Sequence, residues 1–239
     1  MHFPDTDELT SEITPFLDAE APNRRQLPRL VAALGRSARQ AGIRSVASGR
    51  WMTSVVLEVL PHLPIRPEAT LRAQHGLEGA ALADVLVLNA ARATATVGAA
   101  MGALAGGAEA SGAGMVTLPI PVVADAVLTA LIEMKLIAEL HEALCRPIPG
   151  RGPARAMALA HAWAAGRGIS TETVLSGGTV LLSGAARREV ARMIRHKLIR
   201  RAGRSLSALA PVLAGSVAAA AINRRGTHKL AAAVRADLG

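Results

Sequence analysis

Tyrosine is absent, and the 239 residues include only two Phe, two Trp and one Cys. A core nearly without rings is filled by aliphatic and small side chains, each burying little surface at about 25 cal/mol per Å². Compensation then comes from backbones that approach closely, from many helices, or from lipid or a partner. The single Cys145 excludes an internal disulfide, and the acidic start, with no apolar stretch behind it, lacks the form of a secretory signal. A reducing, cytoplasmic setting is the expectation. No GxSxG, GxxxxGK[ST], HExxH or CxxC pattern occurs, which removes the common signatures of hydrolases, nucleotidases and zinc enzymes. Neither cofactor nor metal is expected, although His141, Glu142 and Cys145 share a helical turn that could offer ligands. The competing reading there is a helix C-terminus where His suits the local dipole and Cys packs.

Charge is present but segregated. The formal net charge is +9. Asp5, Asp7, Glu8, Glu12, Asp18 and Glu20 stand at the start without a basic residue among them, whereas residues 187–235 hold twelve Lys or Arg against Glu189. With Pro4, Pro15, Pro22 and Pro28 interrupting it, the span 1–28 reads as an acidic, loosely held leader. Residues 29–79 read as surface helices ended by Pro61 and Pro64, and 80–239 as a second helical region.

The centre is greasier. Between Arg92 and Glu133 the sequence holds only Glu109 and Asp125 as charges. Neither uncharged half reaches the ~20 residues of a spanning helix, so a re-entrant or buried hairpin is expected. Gly98, Gly102, Gly106 and Gly114 fall on a four-residue rhythm and would form a smooth packing stripe, in a bilayer or in a tight soluble bundle. Asp125, Thr129 and Glu133 follow at i, i+4 and i+8, drawing a polar line down an apolar helix. Carboxylates at Glu109 and Asp125 in such surroundings require partners, for which Arg92, Lys135, Arg224 and Arg225 are candidates. The set Glu109, Asp125, Thr129, Glu133 and Asn223 is either a network stitching helices together or a ligand site.

Residues 184–204, GAARREVARMIRHKLIRRAGR, place Val190, Ile194 and Leu198 on one face. Arg187, Arg188, Arg192, Arg195, Lys197, Arg200, Arg201 and Arg204 cover the rest. This basic amphipathic helix suits anionic lipid, nucleic-acid phosphates or plain solvent, but it lacks the stacking aromatics or module of a base reader, so nucleic acid is the least favoured partner. The uncharged run 205–223 behind it reads as an interior helix or a short, weakly apolar span.

Two blocks resemble the bacterial EcsC family, proteins associated with ABC-transporter operons. The first is AEASGAGMVTLPIPVVADAVLTALIEMKLIAELHEAL, with Glu109, Gly112, Gly114, Leu118, Pro119, Asp125, Ile137, Ala138 and Glu139 at the pattern's positions. The second is LAPVLAGSVAAAAINRRGTHKLAAAVR, with Gly215, Asn223 and Gly226. The resemblance spans roughly residues 80–236, and the chain departs from it after Glu139, where HEALCRPIPG replaces a Tyr-Gly step. It implies membrane association or transporter-linked physiology and transfers no reaction.

The expectation is therefore an all-α, multi-helix bundle with a Gly/Ala-rich central hairpin and residues 187–204 lying basic side out. Its expected role is that of a non-enzymatic accessory or adaptor protein at the cytoplasmic membrane face, binding anionic lipid, with a membrane protein such as a transporter as a candidate partner. The rival is an enzyme or small-ligand binder with a lipid-lined pocket around Asp125, Glu133 and His141.

Overall fold

The computed structural model describes residues 6–19, 25–110, 120–148, 152–166, 168, 184–208 and 215–239, with side chains omitted at 6–7, 106–110, 205–208 and 215. The described residues form ten α-helices and no strand, an all-α bundle. These are α1 (Thr6–Asp18), α2 (Leu27–Ala41), α3 (Ile43–Ala47), α4 (Arg50–Val59), α5 (Glu68–His75), α6 (Gly79–Ala110), α7 (Ile120–Ala143), α8 (Gly152–Ala165), α9 (Gly184–Ala208) and α10 (Gly215–Leu238).

α7 is the axis. Every residue from Val122 to His141 is buried, which makes it a core helix apolar on all sides except where its five buried ionisable groups, Asp125, Glu133, Lys135, Glu139 and His141, find partners. Helices α2, α4, α5, α6, α8, α9 and α10 all pack against it. The most extensive helix pair is α6 with α10, and Gly98 shows why. A Cβ built there would stand 2.7 Å from the Ala219 carbonyl oxygen and 2.8 Å from Asn223 Nδ2, so only glycine permits this approach. Gly102 is also buried, so the small-residue stripe serves the α6–α10 seam. Gly106 falls in α6 with its surroundings undescribed, and Gly114 lies outside the described residues.

Three expectations need correction. Thr6–Asp18 is a helix with Leu9, Ile13, Phe16 and Leu17 buried against α2 and α4. Their i, i+4, i+7, i+8 spacing outweighs Pro15, which stays exposed within the helix, and Pro28 takes its tolerated place in the first turn of α2. α7 further secures the end of α1, where Lys135 Nζ donates to the Leu17 carbonyl at 2.6 Å.

The run 205–223 is not one helix: 205–208 finish α9, Gly215–Asn223 begin α10, and 209–214 lie outside the described residues. α10 continues past Arg224 and Arg225 because its inner positions Asn223, Thr227, Leu230, Ala231, Val234 and Leu238 keep helical spacing while the two arginines face out. The third correction concerns Arg201, which is buried rather than on the outer basic face.

Two glycines of contrasting setting test this packing. Gly98→Ala is expected to cost about 1–3 kcal/mol by overpacking against the α10 backbone. Gly203, inside α9 with nothing within 4 Å of a built Cβ, should gain roughly 0.5–1 kcal/mol as Gly203→Ala. Urea unfolding midpoints that move in opposite directions at unchanged m-value would bear this out.

Candidate functional site

The polar line of α7 meets its partners inside the bundle. Asn223 of α10 donates through Nδ2 to Asp125 Oδ1 at 2.6 Å, with Thr129 Oγ1 at 3.3 Å and the Thr94 carbonyl at 3.2 Å also within reach of that amide. Thr129 Oγ1 lies 3.4 Å from the same Asp125 oxygen. One turn of α10 further on, the Thr227 hydroxyl stands 3.2 Å from Glu133 Oε1 and 2.9 Å from the Thr94 hydroxyl of α6.

Glu133 is held from three sides. Arg201 of α9 donates through Nη1 to Oε2 at 2.9 Å and through Nη2 to Oε1 at 3.3 Å. Trp163 Nε1 of α8 donates to Oε2 at 2.8 Å. Arg201 Nη2 also reaches Asn223 Oδ1 at 3.4 Å, which joins the Asp125 and Glu133 halves. Five helices, α6 to α10, thus converge on two carboxylates through short, charge-assisted hydrogen bonds. The described space beside Asp125 amounts to about 10 Å³, at the lower limit for one water and far below a substrate.

A second buried ion pair lies further along α7. Arg66 grips Glu139 with Nε at 2.7 Å and Nη2 at 2.9 Å, and Lys135 lies 3.7 Å from the same carboxylate. Burial holds the Lys135 pKa below the usual lysine range, with Glu139 opposing the shift. His141 sits about 24 Å along the helix axis from Asp125 at 1.5 Å per residue. Its Nδ1 is 2.9 Å from the Arg146 carbonyl, and burial pushes its pKa down. Cys145 is exposed with φ 55°, and Glu142 accepts from Arg155 at 3.0 Å. His141 and Glu142 therefore engage separate partners while Cys145 is exposed, and no metal-binding group of His, Cys, Asp and Glu occurs among the described residues.

The structure brings Asp125, Thr129, Glu133 and Asn223 together as the sequence grouped them. The Glu109 side chain lies outside the described residues. The expected cations are elsewhere: Arg92, Arg224 and Arg225 are exposed, and Lys135 serves Leu17 and Glu139. Their place is taken by Arg201. Sequence reasoning also missed Thr94, Thr227 and Trp163. Thr227 is four residues after Asn223 and Thr94 four before Gly98, so both faces were readable from i, i+4 spacing.

The outer face of α9 carries the rest of the basic set. Val190, Ile194 and Leu198 are fully buried, leaving Arg187, Arg188, Arg192, Arg200 and Arg204 exposed and Arg195 and Lys197 half-buried. Arg192 pairs with Glu189 at 2.6 Å. Arg192, His196, Lys197, Arg200 and Arg204 line one side of an open groove of about 520 Å³ whose other side is Ala164 to Gly166 at the end of α8. Lys197 Nζ lies 4.3 Å from the Trp163 ring centroid and also donates to the Trp163 carbonyl, a cation set against a helix C-terminus. Burial, helped by Arg201 and Arg204 and opposed by Glu133, pulls its pKa down to about 8. Among the described residues, one helical segment, Gly79–Ala105 of α6, is long and apolar enough to cross a membrane by length and composition.

Comparison with family models, curated proteins and solved structures finds no match to this chain.

Removing one member of the Glu133–Arg201 pair leaves a buried charge without its counter-ion. Arg201→Met is expected to cost about 3–5 kcal/mol in urea unfolding, and Glu133→Gln combined with Arg201→Met should cost clearly less than the sum of the two single changes. Strict additivity would contradict the pairing. For Lys197 the folded pKa of about 8 lies below the 10.5 of an unperturbed lysine. Between those values the unfolded chain binds more protons, so its contribution to stability rises with pH. Unfolding followed from pH 7.5 to 10 should show this rise relative to Lys197→Met, and parallel curves would contradict it.

Proposed function

We propose that the chain is a membrane-associated, non-enzymatic accessory or adaptor protein of the EcsC-like family, which binds anionic lipid through the basic face of α9 at the cytoplasmic side of a membrane. The observation that carries this reading is the division of α9. Val190, Ile194, Leu198, Ala202 and Arg201 anchor it to the core, and five arginines remain turned to solvent. A fixed cationic face of this kind, beside a groove wide enough for phosphate groups, attracts an anionic surface at about 1 kcal/mol per basic residue.

The apolar character of α6 supports the membrane setting. The filled interior around Asp125 and Glu133, and the separation of His141 from them, weigh for an adaptor over an enzyme with a pocket there. Nucleic acid is disfavoured because no Trp, Phe or Tyr lines the α9 groove among the described residues. Any protein partner in this reading is a membrane protein, of which a transporter is the example the EcsC resemblance suggests.

The test is co-sedimentation with neutral and anionic vesicles at low and high salt. The protein should pellet with anionic vesicles only, and more weakly as salt rises. Replacing Arg187, Arg188, Arg192 and Arg200 by Glu should weaken binding by about a thousandfold, taking ~1 kcal/mol for each lost basic residue. Failure to pellet under any condition, or equal binding to duplex DNA, would sink this reading.

A further inference from the structure

The Arg66–Glu139 pair borders a cleft that the Asp125–Glu133 network does not reach. α6 turns Asn89, Ala90 and Ala93 toward it, α7 turns Lys135 and Leu136, and Phe16 at the end of α1 adds a ring. The space exists because Ala90 and Ala93 are short where they stand across from the longer side chains of α7. It amounts to about 50 Å³, against about 10–15 Å³ for a single water, which is room for roughly three to five water-sized groups.

The charges around the cleft do not cancel. Arg66 grips Glu139 as a bidentate fork, with Nε at 2.7 Å and Nη2 at 2.9 Å, so that Lys135 remains as an excess positive charge. Its side chain is only 9% exposed. An ammonium carries three N–H donors. One goes to the Leu17 carbonyl at 2.6 Å, and the nearest Glu139 oxygen, at 3.7 Å, is beyond hydrogen-bond range. Asp18, the other carboxylate whose field reaches Lys135, is exposed to water. On the facing helix the half-buried amide of Asn89, with two N–H donors of its own, makes no hydrogen bond among the described residues. A buried cation with donors to spare is stabilised by an anion that accepts from them.

We propose that this cleft binds a short-chain monocarboxylate of roughly two to four carbons, its carboxylate accepting from Lys135 and Asn89 and its hydrocarbon end lying on Phe16, Ala90, Ala93 and Leu136. Each part of the class follows from the site. Arg66, Lys135 and Glu139 together carry one net positive charge, which matches a monoanion. The volume excludes nucleotides and sugars, and the apolar wall favours a hydrocarbon end over an inorganic ion. No residue of α9 lines the cleft, so the site goes beyond the lipid-binding reading and does not depend on it.

The purified full chain is titrated calorimetrically with sodium acetate, propionate and butyrate, and with sodium chloride as an anion that lacks a hydrocarbon end. Each carboxylate should bind once per chain, with affinity rising about fourfold for each added methylene as it reaches the apolar wall. Lys135→Met should weaken butyrate binding by about ten- to a hundredfold, the loss of a charge-assisted hydrogen bond. Ala93→Leu fills the cleft while keeping the charge and should abolish binding. Circular dichroism establishes that each variant is folded. If Lys135→Met is not, Asn89→Leu, which removes an amide held by no hydrogen bond, takes its place with the same expected direction. No heat with any carboxylate, chloride binding as tightly as butyrate, or unchanged affinity in folded Ala93→Leu would overturn the proposal.

Discussion

The Glu133 carboxylate sits midway along the most buried helix of the chain, where an ionised group is tolerated only if its lost hydration is replaced. Arg201, Trp163 and Thr227 replace it, and they come from α9, α8 and α10 respectively. Asp125 makes the same demand two turns earlier, met by Asn223. Because the two sites share Asn223 and Arg201, neither half is complete unless all the surrounding helices are in place. Apolar Ala-rich helices pack tolerably in many registers, so a requirement of this kind selects one arrangement.

That selection matters in a core with so few large side chains. Both tryptophans are fully buried and both use their indole N–H, Trp51 toward the Ser37 hydroxyl at 3.0 Å and Trp163 toward Glu133. Elsewhere close contact replaces bulk, as at the Gly98–Ala219 crossing, where backbone meets backbone. The same economy explains why α9 can remain largely cationic. Four aliphatic side chains and a buried arginine hold it, and most of its remaining basic side chains stay exposed.

Much of the interior was legible because its signals are local. The i, i+4, i+8 series Asp125, Thr129, Glu133 marked the polar face of α7, and the glycine rhythm marked the seam of α6. The partners were less legible. α9 bears basic residues on nearly every side of its helical wheel, so nothing in the sequence singles out Arg201 as the one turned inward; only the position of Glu133 across the bundle decides it. Arg92, Arg224 and Arg225 seemed the natural counter-ions from their place beside the apolar runs, yet the register of α6 on α10 turns them to solvent. The leader failed for the opposite reason: its prolines and acids hid the spacing of Leu9, Ile13, Phe16 and Leu17, which only a groove between α2 and α4 makes meaningful.

If the carboxylate network is what makes the bundle a single unit, its helices cannot open one at a time. Native-state hydrogen exchange of the unaltered protein, followed across α7, α9 and α10 at rising denaturant, tests this most directly. The account predicts that the slowest amides flanking Glu133, Arg201 and Thr227 converge on one opening free energy equal to that of global unfolding. Exchange of α9 through a separate, lower-energy opening, with α7 and α10 still protected, would contradict it.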